Sequence, residues 1–233
     1  MNHKLNIKSL EDLEDFLNND LAWRKKEMIS LKMMVDKDQV NEAILLRAGI
    51  ALLCAHFEGF VRYGSNCYVS YVSTQKVACE SLKNSFIAMK MVKEFKSCSA
   101  SEKHSVHAKL LDKYLGYKEK KFQINITDGE GVISTHSNPG SSELKEILAA
   151  LGIESDLFET KAHYIDESLL KNRHKVVHGE PANLERSDFL STFSIIMDLI
   201  ENYRKLIIHS AENKDYLKGA ISRGNKLPST DAK

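Results

Sequence analysis

The sequence has little proline, no paired cysteines and almost no net charge. Its 233 residues include 3 prolines, of which Pro139 comes first, so the preceding part contains no residue that breaks a helix outright. The 33 Lys and Arg residues are balanced by 32 Asp and Glu residues. This balance excludes a histone-like protein that binds nucleic acid through its net charge, and any such binding needs a local patch. A mostly α-helical protein is expected.

The cysteines and the apolar segments bear on the compartment. The 4 cysteines stand alone, without a CxxC pair or zinc-finger spacing, which predicts reduced and mostly buried thiols. The first residues show no apolar core of signal-peptide length, so a cytoplasmic location is expected. The longest apolar stretch, residues 48–55, is ended by His56 and Glu58, short of the ~20 residues that a membrane helix needs. The sequence therefore predicts no membrane span.

Helical periodicity dominates the first third of the chain. Ser9 followed by acidic residues is typical of a helix N-terminus, and the apolar spacing predicts a helix from there to about Val35. A second long helix is expected to start near Asp36 or Asp38 and to continue as far as Tyr71. Two such helices joined by a very short turn predict an all-α, antiparallel helical bundle.

The remaining pattern predicts shorter elements within the same domain. We expect one or two helices in 86–115 around a serine-rich break at 97–101, a short helix over 144–151, another over 158–177, and a last long helix from about 187. Alternating apolar residues and turn residues near 122–140 predict either a small hairpin or an ordered loop. Residues 1–217 are expected to form one domain, and the polar segment 218–233 a disordered tail.

One stretch carries candidate chemistry, at the end of the helix predicted over 158–177. Arg173 is followed by the polar His174 and, after four intervening residues, by His178, with Gly179 as a helix stop. With 9 histidines in the chain, such a spacing arises about once by chance, and 204–209 also matches it. We prefer the first block because His174 and Asn172 flank Arg173, and because the glycine ends the helix where a side chain can face a cleft.

Through these residues the sequence resembles the HEPN superfamily of all-helical ribonucleases and nucleotide-binding domains. Arg173, His174 and His178 occupy the places of its signature of arginine, polar residue and histidine. The second predicted helix, residues 47–61 with the run His56-Phe57-Glu58-Gly59-Phe60, looks like the MAE-type prokaryotic branch. The resemblance implies a HEPN-type bundle that covers most of the chain.

The resemblance implies a metal-independent endoribonuclease with Arg173 and His178 as catalytic residues and no cofactor. A histidine takes the proton from a 2′-hydroxyl, the arginine neutralises the phosphorane, and the products are a 2′,3′-cyclic phosphate and a 5′-hydroxyl. The other site residues, in supporting or RNA-binding roles, are His174, Asn172, Lys175 and Glu58. Five residues of α-helix turn about 140°, so Arg173 and His178 do not share a face, and a homodimer that joins two copies of the motif is expected.

The resemblance also suggests a toxin or phage-defence effector whose partners are RNA and an antitoxin or another defence protein. The alternative is a non-catalytic HEPN-like module that binds RNA, a nucleotide or a protein within a defence complex. A zinc pair formed by His174 and His178 is disfavoured because Lys175 stands where HExxH needs glutamate.

Two further expectations concern the first two helices. Glu58 lies in an apolar run, where an unpaired carboxylate is costly, so it is expected to meet Arg47, Arg62 or Arg173. Trp23 and Phe57 are interpreted as core residues, and the run 24–26 as a solvated basic face that can touch RNA.

Overall fold

The computed structural model describes residues 5–127, 131–135, 140–156, 158–159, 161–180 and 184–220. Within these ranges the fold is helical and contains no strand, which confirms the expected all-α class. The helices are α1 (Leu10–Lys37), α2 (Glu42–Thr74), a 3-10 turn (Cys79–Ser81), α3 (Asn84–Lys90), α4 (Val92–Ser99), α5 (His104–Tyr117), α6 (Ser141–Ala150), a π-helical segment (Tyr164–Leu170), α7 (Lys171–Val177) and α8 (Arg186–Glu212).

The core is a bundle of α1, α2 and α8, with α7 packed on α2. In the buried interior, the hydroxyl groups of Ser65 and Tyr203 lie 2.6 Å apart, and the Phe60 ring meets Tyr203 edge to face. By length and composition α2 qualifies as a candidate membrane span, with a mean hydropathy of 1.7 over its most apolar window. Half of that window is buried inside the bundle, where α2 is the central helix.

The two long helices begin and end for local reasons. The Ser9 side chain accepts from the backbone N–H of Asp12, whose carboxylate accepts from the Ser9 N–H, so the predicted N-terminus of α1 is confirmed as a capping box. The predicted start of α2 at Asp36 or Asp38 is wrong. Asp38 instead accepts the backbone N–H groups of Val40 and Asn41, each at 3.1 Å, and forms the turn between the helices.

The middle of the chain is more divided than its periodicity indicates. The segment 86–115 lies in three helices, α3, α4 and α5, rather than in one or two. The serine-rich break is confirmed between α4 and α5, while the chain also breaks at Met91. No residue of α4 or α5 is buried, so these two helices form a pair with a large solvent-exposed surface.

Of the hairpin and the loop that the sequence left open near 122–140, the described residues show a loop. In 122–127 and 131–135 the backbone forms no strand: polar side chains of α2 bond part of it, and single backbone bonds join Phe122 to Val77 and Ile126 to Leu5. Ser73 bonds the N–H and C=O of Ile124, and Asn66 does the same for Ile133. The turn residues 128–130 and the predicted turn at 138–139 lie outside the described residues.

The chain packs back onto the bundle after α8. The helix predicted from 187 is α8, which begins at Arg186. Beyond it, Tyr216 is buried and the backbone N–H of Lys218 bonds to the Ser81 carbonyl at 2.8 Å, so the chain stays attached to the domain there. Most of the predicted tail, 221–233, lies outside the described residues.

Candidate active site at the end of helix α7

Helix α7 follows seven residues of π-helical geometry and ends in a glycine turn. Gly179 has φ of +71°, its N–H bonds to the Val176 carbonyl at 3.2 Å, and the N–H of Glu180 bonds to the Lys175 carbonyl at 2.8 Å. This pair of bonds is a Schellman motif, which glycine permits because it adopts positive φ without steric cost. The predicted helix stop is thus confirmed, and His178 occupies the exposed last position before the turn.

An arginine of α2 fastens this turn to the bundle. The Nη1 group of Arg47 donates to the Glu180 carbonyl at 2.8 Å, two residues after His178. The sequence left Arg47 open as a partner of Glu58, but in the structure Arg47 bonds the Glu180 carbonyl instead. Its role is to hold the backbone next to His178 against the first turns of α2.

Glu58 pairs with the motif arginine. Its Oε2 lies 3.6 Å from Nη2 of Arg173, and its Oε1 accepts a hydrogen bond from the Thr135 hydroxyl at 2.8 Å. The side chains of Arg173 and Glu58 are 23% and 18% exposed, so the guanidinium is held in place but still reaches solvent. Of the three partners that the sequence left open, the structure selects Arg173.

The two motif histidines form an adjacent pair. The rings of His174 and His178 have centroids 4.2 Å apart and an interplanar angle of 50°, and both residues are exposed. This closeness follows from their i, i+4 spacing on one helical face. Imidazole side chains can serve as general acids or bases in catalysis, so one exposed surface carries two groups of this kind.

The other two predicted supporting residues, Asn172 and Lys175, show no contact in the described part of the chain that fixes their side chains. Asn172 and Lys175 are half-buried on α7, and among the described residues neither side chain forms a hydrogen bond or an ion pair. Thr135 was not identified from sequence, because a threonine in a loop carries no recognisable signal until the loop is placed against α2.

Cys54 lies close to the pair of Arg173 and Glu58. Burial raises the pKa of its thiol to about 12, the positive charge of Arg173 opposes this effect, and the negative charge of Glu58 adds to it. The thiol is therefore protonated at neutral pH, and Cys54 is no candidate nucleophile. No disulfide joins any of the four cysteines, which all lie within the described residues, and all except Cys98 are buried, as expected.

No metal-binding group is found in the part of the chain that the structure describes: no three His, Cys, Asp or Glu side chains converge there. The second spacing match, on α8, is engaged elsewhere. Arg204 lies 3.2 Å from Glu201 and bonds Asn18 at 3.1 Å, while the His209 ring bonds Asn213 at 2.8 Å.

Two sequence interpretations of α1 are wrong. Trp23 is 49% exposed, whereas Phe57 is buried as expected. Arg24 is buried rather than solvated, because its Nε group lies 2.6 Å from the Asp20 carboxylate. Periodicity places both residues on α1 but does not show that Asp20, one turn earlier, draws Arg24 inward.

Comparison with known proteins identifies one family. A family model described as RiboL-PSP-HEPN matches residues 19–209, which is more than half of the chain and includes both the motif and Glu58. Neither a curated protein nor a solved structure matches.

Proposed function

The chain belongs to the RiboL-PSP-HEPN family of the HEPN superfamily, and we propose that it is a metal-independent endoribonuclease. Membership suggests a ribonuclease or a nucleotide-binding function. The observation that carries the choice between them is the Arg173–Glu58 pair beside two exposed histidines. A surface that only binds RNA needs cations. It does not need an arginine whose position is fixed by a carboxylate beside two histidines that can act as acid and base.

The proposed reaction is an internal transfer within the RNA. His178 accepts the proton of a 2′-hydroxyl, the 2′ oxygen attacks the adjacent phosphorus, and the bond to the 5′ oxygen breaks. His174, or a histidine of a second copy, gives a proton to that leaving oxygen. The nucleophile belongs to the substrate, so this route requires no metal-bound water. The products are a 2′,3′-cyclic phosphate and a 5′-hydroxyl.

Arg173 stabilises the charge that grows on the phosphorus centre. Its guanidinium has five donors in a planar fork, so one edge can remain with Glu58 while another meets a phosphate oxygen. Because the Thr135 bond fixes the Glu58 carboxylate, the donors are oriented before the substrate arrives. Orientation before reaction is what makes such donors effective in the transition state.

We further propose that the complete site forms between two copies of the chain. Arg173 points to α2, whereas His178 lies at the exposed tip of α7, so one copy does not surround a phosphate. Two exposed apolar residues flank the tip: Val177 is 62% exposed, and Ile44, one turn before Arg47, is 68% exposed. A symmetric contact would cover them and bring two motifs together.

A basic region supports an extended polyanionic substrate. Residues 90–121 contain nine lysines and four acidic residues, a net charge of +5 in a chain whose formal charge is +1. Because α4 and α5 lie in this segment without any buried residue, most of these lysines are exposed. Phosphates of a strand that extends beyond the cleft are the ligands expected there.

The test is cleavage of an end-labelled mixed RNA in EDTA by the wild type, Arg173→Ala and His178→Ala. A matched control is the double variant Arg204→Ala/His209→Ala, which removes the same spacing from α8. The proposal predicts that the wild type and the control cut, and that both motif variants lose at least 100-fold in rate. Equal cutting by all four would refute the site.

A binding module without chemistry is the second candidate. In such a module Arg173, held by Glu58, would bind a phosphate while the histidines transfer no proton. It predicts RNA binding by the wild type without cleavage, and weaker binding by Arg173→Ala. A role as a toxin or defence effector, restrained by a partner protein, fits either candidate and is tested by growth arrest after expression of the wild type but not of His178→Ala.

A further inference from the structure

A pocket lined by polar and aromatic side chains lies between α1 and α2, one helical turn from Glu58. Its volume is about 440 Å³, and its wall includes Trp23, Gly59, Arg62, Asn66 and Thr127. Arg62 is one turn after Glu58 on α2, so their Cβ atoms are about 6 Å apart. The pocket therefore begins within one helical turn of the carboxylate that holds Arg173.

Trp23 presents a fixed aromatic surface to this pocket. Its indole N–H donates to the Asp20 carboxylate at 3.0 Å, and the guanidinium of Arg24 lies over the ring, 4.5 Å from the centroid. The His56 ring packs against it edge to face at 5.4 Å. Three neighbours thus restrain the side chain, although nearly half of it remains exposed to solvent.

The pocket wall also contains an exposed arginine. Within the described ranges, no carboxylate lies within 4 Å of the exposed Arg62 guanidinium, whereas Arg24 in the same wall is neutralised by Asp20. The Thr127 hydroxyl is shielded from solvent and lacks a hydrogen-bond partner among the described residues. The described part of the wall therefore combines an aromatic face, a guanidinium with no carboxylate within 4 Å among the described residues, and a shielded hydroxyl.

We propose that this pocket binds one unpaired nucleotide of an RNA strand, with its base against Trp23 and its phosphate on Arg62. The inference rests on the proposed ribonuclease function and adds a substrate preference to it. A base in a duplex is stacked on both sides and cannot reach Trp23, so the pocket selects single-stranded RNA. Arg62 lies one helical turn from Glu58, the residue that holds the Arg173 guanidinium, so a strand bound in the pocket can continue toward Arg173.

The chain contains 1 tryptophan, so its intrinsic fluorescence reports on this pocket alone. The protein to use is His178→Ala, which binds without cutting. Titration with an unstructured RNA ten-mer is expected to quench the emission in a saturable way. Adding Arg62→Ala should weaken that binding about tenfold. Adding Lys205→Ala, which changes an exposed cation of α8 outside the pocket wall, should leave it unchanged.

Two further ligands show whether the bound nucleotide belongs to a single strand, to a duplex or to the pool of free nucleotides. A duplex of the same sequence should quench at least tenfold less well at equal concentration. Adenosine monophosphate at the same concentration should not quench, because the pocket gains affinity from the strand bound in the cleft. Equal quenching by the mononucleotide would replace the proposal with a free-nucleotide site. Unchanged emission while labelled RNA binds by anisotropy would overturn it.

Kinetics separate this inference from the proposed function. Arg62→Ala is expected to raise KM about tenfold on a single-stranded ten-mer with little change in kcat, and to cut a dinucleotide, which is too short to fill the pocket, as the wild type does. Normal KM on the ten-mer would refute the subsite while the nuclease stands. Quenching by RNA without any cleavage would refute the nuclease while the subsite stands.

Discussion

Replacing Glu58 by glutamine is the sharpest perturbation of the site. The Glu58 carboxylate holds Arg173 at 3.6 Å and accepts the Thr135 hydroxyl at 2.8 Å. In the variant Glu58→Gln, the amide oxygen still accepts from Thr135. The amide nitrogen then faces the guanidinium, and two donors oppose each other. The change therefore releases the Arg173 side chain from its fixed orientation but preserves the packing of α2.

The stability cost of this change is small. Unit charges 3.6 Å apart attract by about 1 kcal/mol in water and by about 5 kcal/mol at an effective dielectric constant of 20. Desolvation and the ordering of two side chains offset most of this, so the expected loss in unfolding free energy is about 1 kcal/mol. Urea denaturation at pH 7 measures it.

The cost in activity is larger. Displacing a group that acts on transition-state charge by about 1 Å reduces the rate by up to about 100-fold. We expect kcat of Glu58→Gln to fall about 10- to 100-fold, with KM nearly unchanged because Arg173 acts mainly on charge that develops during the reaction. The assay is cleavage of a fluorescent RNA at several concentrations in EDTA.

Glu201→Gln is the matched control for Glu58→Gln. Glu201 pairs with Lys25 in a partly buried contact on the other side of the bundle, with exposed fractions of 31% and 32%. It should lose similar stability and no activity. If Glu58→Gln kept its full kcat, or if Glu201→Gln lost as much, the proposed aiming of Arg173 would be wrong.

Three further outcomes are expected. Burial lowers the pKa of His56 below its ordinary value of 6.5, an effect that a nearby glutamate opposes. The unfolded chain thus binds a proton more readily than the folded one, so the urea midpoint should fall from pH 7 to pH 5, and His56→Gln should flatten this slope; equal slopes would contradict it. One thiol per chain should react with Ellman's reagent at pH 8, because Cys54, Cys67 and Cys79 are buried, and the variant Cys98→Ser should show no reaction. Reaction of all four thiols would show that the core is open to solvent. Val177→Lys should convert a dimer to a monomer by light scattering, whereas Leu111→Lys, with the same 62% exposure on α5, should not; an unchanged mass would refute the proposed interface.

Local features of the fold were predictable because each depends on neighbours in sequence. Ser9 is the expected N-cap of α1, where it forms a capping box with Asp12, and Gly179 ends α7 with the positive φ that its position requires. The start of α2 was misplaced because an aspartate can cap a helix or close a turn, and only the connection decides which.

Contacts between helices were predictable only in part. A glutamate in an apolar run needs a cation, so a partner for Glu58 was expected, but periodicity does not show which arginine faces it. The choice of Arg173 depends on how α7 packs on α2. Trp23 was assigned to the core because of its size, and its exposure depends on contacts with His56 and Arg24 that no local pattern reveals.

The most direct test of the central claim uses a DNA oligonucleotide with a single ribonucleotide, incubated in EDTA with the wild type and with His178→Ala. The account predicts one cut, immediately 3′ of the ribonucleotide, with a 2′,3′-cyclic phosphate and a 5′-hydroxyl identified by mass spectrometry, and no cut by the variant. A 2′-O-methyl group at that ribonucleotide should abolish cleavage. Cleavage of the methylated strand, or equal cleavage by His178→Ala, would contradict the claim that this site removes the proton of a 2′-hydroxyl.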